Sequence, residues 1–156
     1  MSRVAVITVS DRVSRGEAED RSGPAIAERL RREGLDVEQV QVVPDEADQI
    51  EAAILGAAAR AELVLTTGGT GISPRDTTPE VTARLADYLV PGMSEEIRRV
   101  GREKTPTAVL SRGVVGVVGR SLVINLPGSQ SGAVESLEAI LAVIPHALDQ
   151  LAGGGH

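Results

Sequence analysis

Short runs of apolar, β-branched residues alternate with longer amphipathic segments, and this alternation is the strongest constraint on the fold. Val4–Val9 is the first such run and ends at Ser10–Asp11. It is typical of a strand covered on both faces in a parallel sheet. Ser22–Pro24 then offers a capping residue and an early proline to an amphipathic segment, which Gly34 can end in a left-handed conformation. We therefore predict a strand followed by a helix.

The same order of elements repeats in the next part of the chain. Asp36–Val43 alternates polar and apolar residues and predicts a second strand, after which Asp45 is a candidate N-cap for another helix. Leu63–Thr66 predicts a third strand that leads directly into a glycine-rich turn. Repeated strand–helix units indicate an α/β protein with a doubly wound, mostly parallel sheet.

Two more helices and a hairpin are predicted in the second half of the chain. Thr78–Glu80 and Ser94–Glu96 each place a capping side chain and carboxylates where a helix can begin. Val90–Gly92 separates these two helices. Val114–Val118 and Leu122–Leu126 are apolar runs joined by a short glycine-containing turn. They predict a hairpin, and hence one antiparallel strand in the sheet.

An apolar stripe near the end of the chain predicts a final helix. The stripe runs from Val134 to Leu151, and we expect the helix to bend at Pro145. Residues 153–156 are expected to be a short flexible tail. A chain of 156 residues is long enough to bury one hydrophobic core, so we expect a single domain over residues 1–152.

Composition excludes several kinds of site. The chain has no cysteine, which removes disulfides, thiolate nucleophiles and iron–sulfur ligation. A net charge of −6 and a single aromatic side chain, Tyr88, argue against nucleic-acid binding, which needs a basic face and usually stacking platforms. The histidines are His146 and His156, so a serine–histidine relay is disfavoured. No apolar run approaches the roughly 18 residues that span a membrane, and we expect a soluble, cytoplasmic protein.

Polar or glycine-rich segments follow four of the predicted strands. They are Ser10–Asp11, Pro44–Asp45, Thr67–Gly71 and Pro127–Ser129. The carboxyl ends of neighbouring parallel strands lie along one edge of a sheet, where open α/β sheets bind their ligands. The sequence therefore predicts one cleft at this edge.

The strongest single indication of a binding site is the segment TTGGTGISPRDTTPE, residues 66–80. Its glycines let backbone amides surround an anion, and its threonine hydroxyls add hydrogen-bond donors. The chain has no Gly-Lys pair, so this is not a Walker loop, and Pro74 stands where a dinucleotide fingerprint would need a third glycine. Taken alone, the segment is equally consistent with a phosphate cradle and with an ordinary turn.

Charged residues beside these glycines favour the phosphate cradle. Arg75 can meet a phosphate, and Asp76 can hold a hard cation such as Mg²⁺, which prefers carboxylate and phosphate oxygens. Asp45 follows a strand that ends at the same edge, so the two carboxylates are candidate Mg²⁺ ligands beside a bound nucleotide. The alternative is that Asp45 only caps a helix and Asp76 only forms a turn.

The motifs occur in a familiar order over nearly the whole chain. They are VSDR at 9–12, DRSGP at 20–24, VPDE at 43–46, TTGGTG at 66–71, RDTTPE at 75–80, LSRG at 110–113 and NLPGS at 125–129. In this order they resemble the molybdopterin-binding Mog/MoaB family, which includes the gephyrin G domain and its plant counterpart. TTGGTG followed by RDxTPE is the specific part of the resemblance, whereas LPG or VSD alone would be weak.

The resemblance implies a three-layer α/β/α fold and, as in the bacterial proteins, a homotrimer. It implies a molybdopterin adenylyltransferase that uses ATP and Mg²⁺, releases pyrophosphate and works beside other molybdenum cofactor biosynthesis proteins. By resemblance, Asp45 and Asp76 are the acidic residues of metal-assisted catalysis. The implied ligand-binding residues are Thr67, Gly68, Gly69, Thr70, Gly71, Arg75, Pro127, Gly128 and Ser129, with Ser10, Asp11, Glu80 and Ser111 as further candidates.

Two positions depart from the family's pattern. Thr77 stands where valine is usual, and Gln130 stands where a proline often follows the LPGS motif, which removes a φ restraint from the predicted ligand loop. Neither change removes a proposed metal ligand or cradle residue. Three alternatives stay open: a non-catalytic molybdopterin carrier of the same fold, a nucleotide hydrolase related to the competence-damage protein, and a purely structural interaction module.

Overall fold

In residues 2–154, which the computed structural model describes, seven strands form one sheet between two layers of helices. The strands are β1 (Arg3–Val9), β2 (Asp36–Val37), β3 (Gln41–Val43), β4 (Leu63–Thr67), β5 (Tyr88–Leu89), β6 (Val115–Val118) and β7 (Ser121–Leu126). The helices are α1 (Asp11–Ser14), α2 (Ser22–Arg32), α3 (Ala47–Ala58), α4 (Thr78–Leu85), α5 (Pro91–Lys104), α6 (Gln130–Ile140) and α7 (Ile144–Leu151). Short 3-10 helices lie at Pro106–Leu110 and Leu141–Val143.

The strand order is β2-β1-β4-β7-β6-β5, and β3 also pairs with β1. The pairings of β1 with β2, β3 and β4, and of β4 with β7, are all parallel. β6 runs the opposite way, and it takes part in both antiparallel pairings, with β5 and with β7. The predicted sheet, mostly parallel with one antiparallel strand from a hairpin, is confirmed. Its chain order reverses between β1 and β4, which is the kind of position where doubly wound sheets bind ligands.

Alternate side chains of the central strands enter two separate hydrophobic clusters, because successive residues of a strand point to opposite faces. Val4 and Val6 of β1 pack on one face against apolar residues of α2, α5, α6 and α7. Ala5 and Ile7 of the same strand pack on the other face against α3 and α4. Both clusters are built from nearly fully buried side chains. This arrangement is the predicted three-layer α/β/α fold.

The strand predicted at residues 36–43 is two short strands rather than one. β2 and β3 both pair with β1. Residues 38–40 between them belong to neither strand, although the amide of Glu38 still donates to the carbonyl of Val4 at 2.9 Å. The guanidinium of Arg31 donates to the carbonyls of Val37 and Glu38 at this break, at 3.3 and 3.4 Å. Gly34, just before β2, has a φ of +85°, so the predicted left-handed end of the preceding helix is confirmed.

The segment predicted to separate two helices instead begins one of them. Pro91 is the first residue of α5, three residues before the predicted start at Ser94. Its fixed φ suits the first helical position and its missing amide costs no bond there. The element that does separate the helices is β5, whose Tyr88 pairs with Val117 of the hairpin. Two residues carry too little periodicity to predict such a strand from sequence.

The predicted final helix is confirmed in outline, but its break lies earlier than expected. The 3-10 turn Leu141–Val143 interrupts it before Pro145, because proline cannot donate the amide bond that would continue an α-helix across this point. By length and composition, Gln130–Leu151 is the described segment that could cross a membrane. Its Leu137 and Ile140 belong to the hydrophobic core. Residues 155–156 of the predicted tail, including His156, lie outside the described residues.

Candidate functional site

An open cleft of about 940 Å³ lies at the carboxyl ends of β1, β3, β4 and β7. Each of the four predicted segments contributes to its lining. The predicted residues that line it are Ser10, Asp45, Thr67, Gly68, Gly69, Asp76, Gly128 and Ser129. The convergence follows from the topology, since these strands are parallel and adjacent.

The glycine-rich turn after β4 has a backbone that side chains would not permit. Gly68 and Gly69 have φ values of +98° and +68°. A Cβ on Gly68 would lie 2.2 Å from the carbonyl oxygen of Val9, and one on Gly69 would lie 2.3 Å from Oγ1 of Thr78. A Cβ on Gly128, in the turn after β7, would lie 3.3 Å from the Cα of Gly68. The two turns therefore meet backbone to backbone and leave the cleft open above them.

Asp45 lines the cleft and does not cap a helix. The N-cap of α3 is Glu46, which makes no side-chain capping bond. Oδ2 of Asp45 instead accepts a hydrogen bond from the amide of Asp11 at 3.0 Å, and Oδ1 lies 3.1 Å from where a Cβ on Gly69 would be. Burial raises the pKa of Asp45, and the nearby carboxylates of Asp11 and Asp76 raise it further. The ionised form of Asp45 is therefore disfavoured in this site, and a bound cation would stabilise its negative charge.

Asp76 forms a turn and also lines the cleft, so the two interpretations of this residue are compatible. Its Oδ2 accepts a hydrogen bond from the amide of Ser73 at 3.1 Å, and its own amide donates to the carbonyl of Ser73 at 2.9 Å. The same Oδ2 lies 2.9 Å from where a Cβ on Gly71 would be. The turn therefore fixes the carboxylate beside the glycines.

The donor set fits Mg²⁺ bound together with a nucleotide better than a metal held by protein alone. Among the described residues, no group of three or more aspartates, glutamates or histidines converges closely enough to form a cage. Mg²⁺ is usually held by one or two carboxylates together with substrate phosphates and water. Asp45 and Asp76 supply that number of carboxylates, and both line the same cleft.

Arg75 lies outside the cleft lining and does not point a free guanidinium at it. Nε donates to Oδ2 of Asp11 at 3.0 Å, and Nη2 donates to Oδ1 of Asp11 at 3.1 Å and to Glu46 at 2.9 Å. These bonds lower the pKa of Asp11. Arg75 was predicted to meet a phosphate and Asp11 to bind ligand. In the structure the two form a bidentate guanidinium–carboxylate pair, and both roles stay predictions.

A second, smaller pocket of about 300 Å³ lies beside the cleft. The predicted residues that line it are Thr70, Gly71, Ser111, Pro127 and Ser129, of which Ser129 also lines the cleft. Glu80 lines neither cavity: it lies on the exposed side of α4 and pairs with Arg112. Arg112 also donates to the carbonyls of Gly71 and Asp76, at 2.8 and 2.9 Å. It therefore holds the loop that carries Asp76, a role that the sequence did not reveal.

The sequence also left out the contribution of α2 to the cleft. Ser22 was predicted to cap this helix, but it is the first helical residue and its hydroxyl is 2.9 Å from that of Thr67. Asp20 accepts bonds from Oγ1 of Thr8 at 2.9 Å and from the amide of Gly23 at 3.3 Å. All of these residues except Gly23 line the cleft. The DRSGP motif was the available signal, but nothing local linked it to this edge.

Comparisons with known proteins all find proteins of molybdopterin or molybdenum cofactor biosynthesis. Residues 5–146 match the family model described as "Probable molybdopterin binding domain". A molybdopterin adenylyltransferase of Helicobacter pylori is 40% identical over 154 residues, which cover 96% of this chain and 88% of the relative. A molybdenum cofactor biosynthesis bifunctional protein of Chlorobaculum tepidum is 39% identical over 99% of this chain, which spans about half (50%) of that relative's length. The crystal structure of the molybdopterin biosynthesis enzyme MoaB from Thermus thermophilus has a TM-score of 0.92 at 51% identity, covering 98% of both chains.

Proposed function

The chain belongs to the molybdopterin-binding domain family, and on this basis we propose that it is a molybdopterin adenylyltransferase that uses ATP. The observation that carries the proposal is the placement of Asp45 and Asp76 beside the glycines of one cleft. The naming of a Helicobacter pylori relative as a molybdopterin adenylyltransferase supports the same activity. Carboxylates beside an open glycine backbone are suited to phosphate chemistry with a metal ion.

The proposed reaction transfers AMP between two phosphate groups. An oxygen of the terminal phosphate of molybdopterin attacks the α-phosphorus of ATP, and a new phosphorus–oxygen bond forms there. The bond between the α-phosphorus and the oxygen bridging to the β-phosphorus breaks, and pyrophosphate leaves. The protein needs no covalent intermediate, since the nucleophile is already an anion and the leaving group is stable. Positioning and charge stabilisation are then the main contributions to the rate.

Each group of cleft residues has a distinct part in this proposal. Asp45 and Asp76 would hold Mg²⁺, which neutralises charge on the phosphates when it is bound. The backbone of Gly68 and Gly69 lets phosphate oxygens approach without side-chain obstruction. The N-terminus of α6 also faces the cleft through Ser129, whose hydroxyl accepts from the amide of Gly132 at 3.1 Å. A positive helix end there favours an anionic ligand.

The test is an anaerobic incubation of the purified protein with molybdopterin, ATP and Mg²⁺. Adenylylated molybdopterin and pyrophosphate are followed together, with controls lacking the protein, the pterin or the metal. Equal amounts of both products, formed only when the pterin is present, would support the transfer. Pterin binding without product would favour the carrier, and ATP breakdown without pterin would favour a nucleotide hydrolase.

The homotrimer and the cytoplasmic location belong to the same proposal. Tyr88 and Val109 expose more than half of their surface, and light scattering of the purified protein would give the number of chains per particle. A monomer at working concentration would contradict the trimer without affecting the proposed chemistry.

A further inference from the structure

The cleft and the smaller pocket share a wall formed by Ser129, Ser131 and Glu135. The first two lie at the start of α6, and Glu135 lies one turn further along the same helix. A ligand that fills both cavities must pass over this wall. One part of such a ligand therefore contacts the residues of the cleft, and the other part contacts the residues of the smaller pocket.

The carboxylates on the cleft side already accept hydrogen bonds from the protein. Asp45 accepts from the amide of Asp11, Asp76 from the amide of Ser73, and Asp20 from a hydroxyl and an amide. Acceptors tied in this way keep a fixed geometry, which suits the holding of a metal ion and phosphates. They are less suited to recognising the donor groups of a ring.

Glu135 is different, because its carboxylate has only a weak partner. Nζ of Lys104 lies 3.9 Å from its Oε1, and the Lys104 side chain is 58% exposed while the Glu135 side chain is 33% exposed. Such a pair contributes little, since the ammonium is well solvated. Glu135 is also the one acidic residue among the described residues that line the smaller pocket. Its oxygens are therefore available to a ligand.

The lining of the smaller pocket suits a flat ring rather than a phosphate. Ile97, Ala108, Leu110 and Pro127 supply apolar surface, and hydroxyl groups supply much of the remaining lining. The one cation among these lining residues, Arg98, already donates from Nη1 to a backbone carbonyl at 2.9 Å. A volume of about 300 Å³ is at the small end of ligand pockets. A phosphate offers only negatively charged acceptors, which a carboxylate repels unless a metal ion lies between them. The 2-amino-4-oxo edge of a pterin offers two adjacent N–H donors, which match the two oxygens of a carboxylate. The amino group of adenine lies beside a ring acceptor and matches only one of them.

We propose that Glu135 is the specificity-determining residue for the pterin ring, binding its 2-amino group and adjacent ring N–H in the smaller pocket. The phosphates of both substrates then lie in the larger cleft, on the other side of the shared wall. This inference rests on the proposed function, because it takes molybdopterin as the substrate. Beyond that function, the inference identifies the residue that distinguishes a pterin from another bicyclic ring.

The test compares two fluorescent rings that differ at one position. 6-Hydroxymethylpterin carries the 2-amino group, and 6-hydroxymethyllumazine carries a carbonyl oxygen in its place. Both are titrated against the wild-type protein, Glu135→Gln and Glu138→Gln. Glu138 is the matched control: it lies on the same helix, pairs with Arg29 on the outside and lines neither cavity. Thermal denaturation of each variant checks that it is folded.

We expect the wild-type protein to prefer the pterin, because the lumazine carbonyl would face a carboxylate. Glu135→Gln should bind the pterin about 10- to 100-fold more weakly, the cost of a lost hydrogen bond to a charged group, and should lose the preference, since glutamine can donate to the lumazine carbonyl. Glu138→Gln should behave as the wild type. The inference is overturned if the wild type binds the two rings alike or binds neither, or if Glu135→Gln keeps the preference.

The adenylyl-transfer assay on the same preparations separates this inference from the proposed function. Transfer without discrimination between the rings would leave the function standing and remove the role of Glu135. Discrimination between the rings without adenylyl transfer would support the role of Glu135 and contradict the proposed enzymatic activity.

Discussion

Asp11 and Asp45 exchange hydrogen bonds just beyond the carboxyl ends of the paired strands β1 and β3. The amide of Asp11 donates to Oδ2 of Asp45, and the amide of Asp45 donates to Oδ1 of Asp11, both at 3.0 Å. One oxygen of Asp45 is thereby tied to the neighbouring loop, while the other lies beside Gly69. Two strand ends that are 34 residues apart in sequence are locked together at the point where the proposed metal would bind.

We predict that Asp45→Asn removes most of the activity without weakening the fold. A metal ion contributes several kcal/mol to such a reaction, so its displacement should slow adenylyl transfer by about 100-fold or more. Asparagine can still accept the bond from Asp11, and it carries no charge. Because the pKa of Asp45 is raised in the folded state, the ionised carboxylate opposes folding above its ordinary pKa of 3.8.

The melting temperature should therefore be equal to or above that of the wild type at pH 7. The difference should fade below about pH 4, where the wild-type carboxyl is protonated in both states. A clearly lower melting temperature at pH 7 would show that the charge of Asp45 stabilises the protein.

Asp76→Asn should slow transfer far more than it weakens pterin binding. The lost charge matters most when negative charge develops on the phosphates, and the asparagine oxygen can still accept the bond from Ser73. We expect the rate constant of adenylyl transfer, measured by single-turnover kinetics, to fall about 100-fold. The Kd for the pterin, measured by fluorescence titration, should be nearly unchanged. Equal activity in this variant would exclude Asp76 from the catalytic site.

Gly69→Ala should destabilise the protein and weaken the binding of a nucleotide in the cleft. A left-handed alanine costs roughly 1–2 kcal/mol, and the new Cβ would also lie 2.3 Å from the buried hydroxyl of Thr78. Gly119→Ala is the control, because Gly119 has a φ of +62° but no atom within 4 Å of an added Cβ. Urea denaturation should give the larger loss of unfolding free energy for Gly69→Ala. Equal losses would mean that the cradle can widen.

Arg75→Gln should make the protein less stable at neutral pH, but not in acid. The hydrogen bonds from Arg75 lower the pKa of Asp11 below its ordinary value of 3.8. A lowered carboxylate pKa stabilises the fold above the ordinary value, and this stabilisation is lost as the pH falls through the lower, folded-state value. The difference in melting temperature should therefore be present at pH 7 and shrink below about pH 4. Arg84→Gln, which breaks only a surface pair with Glu51, should show a smaller difference at pH 7.

Asn125→Leu should be among the more damaging single changes in the core. Nδ2 of Asn125 donates to the hydroxyls of Thr66 and Thr82 at 3.1 and 3.0 Å, and Oδ1 accepts from the amide of Val114 at 3.1 Å. Leucine would leave these buried groups without their partner, and each orphaned group costs roughly 1–3 kcal/mol. Denaturant titration should show a loss of at least ~3 kcal/mol. A loss below 1 kcal/mol would mean that the two threonines re-pair elsewhere.

The sequence predicted the parts of the fold that a local pattern determines. Val4–Val9 is apolar on both faces because it lies in the middle of the sheet, and the hairpin around Gly119 has two apolar arms. The strand predicted at 36–43 is two short strands, and Arg31 of α2 donates to the carbonyls of Val37 and Glu38 where the first one ends. A contact from another element leaves no trace in the local pattern. β5 was missed, since Tyr88 and Leu89 become a strand only by pairing with β6.

The candidate site could be predicted as a set of loops, but not as a set of contacts. Strand direction alone brought Asp45, Gly69 and Ser129 to one edge of the sheet. Arg75 and Arg112 look alike in the sequence, yet the first is tied to Asp11 and the second to the carbonyls of the loop. These pairings join residues at least 36 positions apart, and no local pattern encodes them.

Arg112 also determines where the cleft can widen. One side chain holds the carbonyls of Gly71 and Asp76, while its backbone lies between Ser111 and Gly113 next to the smaller pocket. The loop carrying Asp76 cannot swing outward without breaking these bonds together. Across the cleft, the rim carries Glu19 and Arg21, whose 3.4 Å ion pair is largely exposed. We therefore expect substrates to enter and pyrophosphate to leave on the α2 side, while the loop that carries Asp76 keeps its position.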